Sequence, residues 1–224
     1  MRRDPAYYQR CPMPSDPIWR NHDDLLDATP AVLHEEVLGD AERWSDRVAL
    51  LDAATGRSLA YGELVAQARR FAAGLRGRGA AGGDVLALVA GNTPEYAVVA
   101  HGTLSAGLTL APASPLLTAR ELGAFLRQTG ARYALADVAA LPKVTEAATA
   151  AGVDEVFALD SLPGGDPLEP RAVEPQSIAV LQSTSGTTGL PKSAAHTHIG
   201  AVASLRQFAG SPPSCPARRG CERG

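Results

Sequence analysis

The sequence predicts an α/β fold built as a layered, mainly parallel sheet. Three observations point there. Short apolar runs alternate with helix-periodic segments of about ten to fifteen residues between Asp84 and Gln182. The run Val85 to Ala90 is apolar at every position rather than every second one, as in a strand covered on both faces. The helical segments open on recognisable caps, Thr93-Pro94 and the box Thr118-Ala-Arg-Glu121.

Taken in order, residues 1 to about 30 are rich in proline and charge and read as an extended N-terminal arm. Ala31 to Trp44 carries Val32, Val37, Leu38 and Ala41 at helical spacing, so the pattern predicts one helix. Arg47 to Ala53 and Arg57 to Tyr61 flank Ala54-Thr55-Gly56 and read as a β-hairpin. Glu63 to Arg78 puts Leu64, Ala68, Phe71, Ala72 and Leu75 on one helical face, with Gly77 and Gly79 as the stop. The alternating series follows. Strands are expected at Asp84 to Ala90, Leu108 to Ala111, Arg132 to Asp137 and Glu155 to Leu159. Helices are expected at Thr93 to Ala106, Thr118 to Thr129 and Val138 to Ala151. Ser161 to Pro175 holds Pro163, Gly164, Gly165, Pro167, Pro170 and Pro175 and reads as a surface loop. Ile178 to Gln182 is the last clear strand. Residues 31–209 therefore form the folded part.

From Gly210 to Gly224 there is no large aliphatic or aromatic residue, only small, polar, proline and arginine positions with Cys215 and Cys221. Nothing there offsets the entropy of ordering it. Residues 210–224 read as a solvated, disordered tail, or as a place where the chain leaves its proper reading frame or was cut near Pro212.

The 224 residues are 45% apolar and 20% charged, ordinary for a globular protein. A net charge of −3 gives no electrostatic reason to expect nucleic acid or an anionic membrane. Three cysteines without a CxxC pair argue against a disulfide framework or a zinc site. No apolar run approaches the ~18 residues of a membrane span, and Met1 to Pro5 opens no signal peptide. A cytoplasmic location is the expectation.

The segment richest in chemistry follows the last strand: Ser183-Thr184-Ser185-Gly186-Thr187-Thr188-Gly189-Leu190-Pro191-Lys192. Glycines let backbone N–H groups reach phosphate oxygens, hydroxyls add donors, and the lysine adds a positive charge. Such a set suits the polyphosphate end of a nucleotide. The candidate binding residues are Thr184, Ser185, Gly186, Thr187, Thr188, Gly189 and Lys192. Gly186 to Ser193 also fits a P-loop, except that Pro191 stands where the second glycine belongs. Proline has no N–H to offer a phosphate. A helix opening at Lys192 would favour the P-loop reading, and a strand there would sink it.

The segment Thr184 to Lys192, followed by Thr197-His198, resembles the signature of AMP-forming acyl-CoA synthetases and their adenylate-forming relatives, the 4-coumarate–CoA ligase-like group above all. Asp46-Arg47-Val48-Ala49-Leu50, Leu59-Ala60-Tyr61-Gly62-Glu63-Leu64, Gly91-Asn92-Thr93-Pro94-Glu95-Tyr96 and Thr118-Ala119-Arg120-Glu121-Leu122 are similar to further family segments, so the likeness runs over about residues 30 to 208. It departs at Ser193-Ala194, where the family usually has Gly-Val. The resemblance implies the first part of a large N-terminal domain, with ATP, Mg²⁺ and coenzyme A as cofactors and a small-molecule carboxylic acid as substrate. The implied chemistry is attack of the carboxylate on the α-phosphorus of ATP, then displacement of AMP by the thiol. The loop would hold the β- and γ-phosphates as they depart. Family members are much longer, and their downstream motifs, ribose-binding aspartate, hinge and C-terminal catalytic lysine have no counterpart here. On that reading the chain is truncated and inactive alone. A P-loop nucleotide-binding protein and a non-catalytic fragment are the alternatives.

Other histidines invite lesser roles. His196 and His198 would share a face if both lay on a strand, but no carboxylate or cysteine lies nearby in sequence, and no metal site is expected. His198 reads as a cap or core residue, and His101, on an apolar helix, as a satisfied core histidine.

Overall fold

The computed structural model describes residues 29–184 and 192–210; the arm, residues 185–191 and the tail from 211 lie outside them. The first helix is shorter than its pattern. Instead of one helix over Ala31 to Trp44, α1 spans Leu33–Leu38 and a separate 3-10 turn spans Ala41–Trp44. Gly39-Asp40 divides them: glycine carries the highest backbone entropy cost in a helix, and Asp40 sits at φ −94°, ψ 5°, outside helical geometry. The expected hairpin follows as β1 (Val48–Leu51) and β2 (Ser58–Ala60), paired antiparallel. Asp52 organises its turn by accepting the Ala54 N–H at 2.9 Å.

Helix α2 (Tyr61–Gly77) buries the face its sequence promised, Leu64, Ala68, Phe71, Ala72 and Leu75. Gly79, at φ 80°, turns the chain out of it. The alternating series then appears in full: β3 (Val85–Val89), α3 (Pro94–Ser105), β4 (Thr109–Ala113), α4 (Ala119–Thr129), β5 (Ala131–Ala136), α5 (Leu141–Ala151) and β6 (Glu155–Ala158). Thr93 caps α3 by accepting the Tyr96 N–H, and Thr118 with Glu121 forms the expected box at α4. Helix α5 starts three residues later than expected because Asp137 draws the preceding turn together, its Oδ1 accepting the Ala140 N–H at 2.8 Å. The proline- and glycine-rich stretch is a loop. The chain then makes β7 (Ile178–Thr184), β8 (Lys192–Thr197) and α6 (His198–Gly210).

Six strands form one sheet in the order β6-β5-β3-β4-β7-β8, parallel throughout except for the antiparallel edge pair β7–β8. The fold is α/β with a mainly parallel sheet, as the sequence predicts. Alternation along the central strand shows why both faces are covered. Leu86 and Leu88 join Phe71, Leu75, Val99 and Leu135 in the core beneath α2 and α3. Ala87 and Val89 point the other way, into a core with Phe125, Leu126 and Val144 from α4 and α5. Each side chain of this size removed from water contributes about 1.5–3 kcal/mol, so the two sandwiched layers carry the fold. The α2–α3 packing is tight enough to require glycine at one point. A Cβ on Gly102 would lie 2.7 Å from the Ala68 carbonyl oxygen.

Candidate phosphate-binding site

Strand β7 runs parallel to β4, so its last residue, Thr184, emerges at the edge where β3, β4 and β5 also end. Ligand sites of open α/β sheets gather at that carboxyl edge. Burial falls along the strand, from Ala179, wholly buried, to Thr184, exposed. The apolar Ile-Ala-Val-Leu stretch anchors the strand, and the polar Gln-Ser-Thr stretch carries the chain out toward solvent.

The register of the hairpin fixes two of the candidate residues. Thr184 pairs with Lys192, Ser183 with Ser193 and Gln182 with Ala194. Residues far apart in chemistry but eight apart in sequence are thus brought to directly opposed positions, about 5.5 Å or less between Cα atoms in any antiparallel pair. The remaining candidates, Ser185, Gly186, Thr187, Thr188 and Gly189, lie outside the described residues. A strand begins at Lys192, so the P-loop alternative, which needs a helix there, is not favoured.

The base of the hairpin is held firmly. Thr109 Oγ1 donates to the Ile178 carbonyl at 2.8 Å, and the N–H groups of His198 and Ile199 donate to the Ser177 and Pro175 carbonyls at 3.1 and 2.9 Å. A loop that must order several donors around an anion gains from such a rigid foundation. The local charge also suits an anion: no Asp or Glu occurs between Glu174 and Glu222. Ser193 Oγ is buried with no hydrogen-bond partner among the described residues, a donor left over one position beyond Lys192.

A second feature of the same sheet edge is an open cleft lined by Arg57, Thr93, Glu95, Asp137, Val138 and Asp160. Its polar groups are largely committed to structure. Arg57 pairs with Glu95, and Asp137 accepts the Gly91 and Ala140 N–H groups, tying the ends of β3 and β5 together.

The histidines resolve differently from their sequence pattern. His196 lies in β8 but His198 opens α6, so the shared strand face does not arise. His198 is a core residue, 2% exposed, whose Nδ1 accepts the Leu33 N–H at 3.2 Å. His101 is not the satisfied residue expected: its Nδ1 is buried without a partner among the described residues. His34, which no sequence pattern singles out, is 3% exposed, and neither ring nitrogen is paired among the described residues. Its contact lies with a residue far away in sequence, and no periodicity or motif signals such a pairing. Among the described residues, no group of three or more His, Cys, Asp or Glu is arranged to hold a metal ion.

Comparison with known proteins bears on the same stretch. Residues 39–219 match the model of the family described as AMP-binding enzyme. The chain is 34% identical over 171 residues to 4-coumarate–CoA ligase 3 of Oryza sativa subsp. japonica, an alignment covering 72% of this chain and 31% of that protein. Among solved structures, a benzoate CoA ligase from Burkholderia xenovorans superposes with a TM-score of 0.71 at 26% identity, over 80% of this chain and 37% of the other. A long-chain-fatty-acid–CoA ligase from Archaeoglobus fulgidus gives 0.73 at 20% identity, over 81% and 39%, a likeness of fold. The chain spans about a third of the length of the curated relatives it matches.

Proposed function

Because the chain belongs to the family of AMP-binding enzymes, we propose that it supplies the phosphate-holding part of an acid–CoA ligase. Such an enzyme activates a carboxylic acid with ATP as its acyl-adenylate and passes the acyl group to coenzyme A. The observation that supports this reading is the β7–β8 hairpin, whose paired residues Thr184 and Lys192 lie at the carboxyl edge of the sheet. The relatives support the reaction class: their names specify coumarate and benzoate as the acids joined to coenzyme A. Those acids differ in their carbon skeletons, so the substrate is proposed as a small carboxylic acid and no narrower.

Within that reaction the residues of this chain have a limited task. The hydroxyls of Thr184, Ser185, Thr187 and Thr188 donate to the β- and γ-phosphate oxygens. Gly186 and Gly189 let the backbone come close, and the Lys192 ammonium offsets the charge that grows on the departing pyrophosphate. The donor set fits a polyphosphate, being rich in hydroxyl and cationic groups and free of carboxylates. Mg²⁺ is a hard cation that binds chiefly to substrate phosphate oxygens in such sites, so it is assigned to the nucleotide rather than to a protein cage. Coenzyme A is proposed as the acyl acceptor, with no residue of this chain assigned to it.

Calorimetric titration of the chain with ATP tests the proposal. Phosphate contacts alone are solvent-competed, so a dissociation constant of about a millimolar is expected, weakened about tenfold by Lys192→Ala. Tripolyphosphate should bind about as well as ATP. Binding that Lys192→Ala leaves unchanged, or adenosine binding as tightly as ATP, would overturn the assignment.

A further inference from the structure

Three histidines from distant parts of the chain converge where α1 meets α6. His34 lies on α1, His101 on α3 and His198 at the first position of α6. The His34 and His198 rings meet edge to face, 6.2 Å between centroids. His198 Nδ1 accepts the Leu33 N–H at 3.2 Å, so this nitrogen must be unprotonated for the contact to exist. His34 is 3% exposed and its two nitrogens have no partner among the described residues to spread a positive charge. His101 Nδ1 is in the same condition.

The surroundings do not compensate. The cavity beside His34 is lined by Glu35 of α1, Glu42 of the 3-10 turn, Arg69 of α2 and Glu169 of the β6–β7 loop, with Ser105 of α3. Its three carboxylates are exposed to solvent, and Arg69 opposes them with a charge that would repel an imidazolium. A separate cavity on the His198 side is lined by Arg171 and Glu174. Glu36 of α1 is taken by Arg206 of α6, with two hydrogen bonds of 2.8 and 2.7 Å. A charge on either of the other two histidines would oppose the protonation of His34.

We propose that the His34–His198 contact is an acid-released latch, closed when both imidazoles are neutral, which docks α1 onto α6 and so holds the hairpin that carries the phosphate loop. Protonation of His198 at Nδ1 removes the acceptor of the Leu33 N–H, and protonation of His34 places an unsolvated charge against a second histidine. Either event undocks α6. The Glu36–Arg206 pair also joins α1 to α6, and, being partly exposed, it is screened by solvent. The latch stands on the contact itself, whatever the loop binds.

The sign of the pH effect follows from burial. Desolvation, then the neighbouring His198 and His101, lowers the His34 value to about 4 from its ordinary 6.5. Burial also lowers His198 and His101. Docking is therefore intact above about pH 6.5, weakens steadily as the undocked form takes up its proton below that, and changes no further once the docked form protonates near 4.

Hydrogen exchange of the full 224-residue chain at pH 7 and pH 5, with rates corrected for intrinsic pH dependence, tests the latch. The amides from Val202 to Gln207 should lose about tenfold or more of their protection at pH 5, while those of Val85 to Val89 and Ala131 to Ala136 keep theirs. The pair His34→Leu and His198→Asn should abolish the change, since leucine fills the buried site and asparagine keeps an acceptor near Nδ1 without titrating. Equal protection of α6 at both pH values, parallel loss in α6 and the central strands, or persistence of the effect in the double variant would each overturn the proposal. Should the double variant not fold, the comparison within the unaltered chain decides alone.

Discussion

At the scale of single residues, the phosphate-site proposal rests on a pairing rather than on a type. Thr184 and Lys192 come into direct register because β7 and β8 pair antiparallel. The chemistry of the segment was legible in sequence because it is local: hydroxyls, glycines and a lysine within ten residues. What no local pattern could show is the neighbour of a buried group. Tyr133 is 2% exposed, stacks on Phe157, and its hydroxyl meets no hydrogen-bond partner among the described residues. An unpaired buried hydroxyl costs stability and returns nothing, so Tyr133→Phe should leave the unfolding free energy unchanged or raise it. A urea titration showing a loss of more than about 1 kcal/mol would mean that the hydroxyl has a partner. Gly102 makes the opposite case. Its missing side chain is what lets α3 approach α2, and a Cβ there would meet Ala68 O at 2.7 Å and Phe71 Cδ1 at 2.8 Å. Gly102→Ala should cost about 1–3 kcal/mol in the same measurement, and a neutral result would show that the helices can separate freely.

At the scale of elements, helices whose ends carry their own signals were read well. Thr93 with Pro94 opens α3, and Thr118 with Glu121 opens α4, because a cap is a contact between residues three apart and needs no tertiary knowledge. Thr93→Ala should lower stability by about 1 kcal/mol through the loss of the acceptor for the Tyr96 N–H, while Thr93→Ser should cost much less. Thermal melts of the two variants separate the cap from mere bulk; equal losses would contradict it. Helix α1 is shorter than its pattern for a complementary reason. Apolar spacing continues through Val37, Leu38 and Ala41, but Gly39-Asp40 costs more backbone order than that spacing returns, and the helix breaks into two pieces. The late start of α5 is a tertiary effect, set by the Asp137 carboxylate, which also holds Gly91.

At the scale of the whole molecule, the class of fold follows from alternation alone, but the strand order does not. The order β6-β5-β3-β4-β7-β8 sends the chain from β6, at one edge, back across the sheet to β7 through the proline- and glycine-rich loop. That return brings Thr184 and Lys192 to the same carboxyl edge as the ends of β3, β4 and β5, and no periodicity in the sequence encodes it. The docking of α1 against α6, residues 33 to 38 against residues 198 to 210, is equally non-local, which is why His34 went unread. The measurement that bears most directly on the phosphate assignment is backbone amide shift mapping of the chain by nuclear magnetic resonance during titration with tripolyphosphate. Saturable shifts should concentrate from Thr184 to Ser193, spare the Arg57–Asp137 cleft, and need about tenfold more tripolyphosphate in Lys192→Ala. Shifts centred on that cleft or elsewhere, with the amides of Gly186 to Gly189 unmoved, would contradict it.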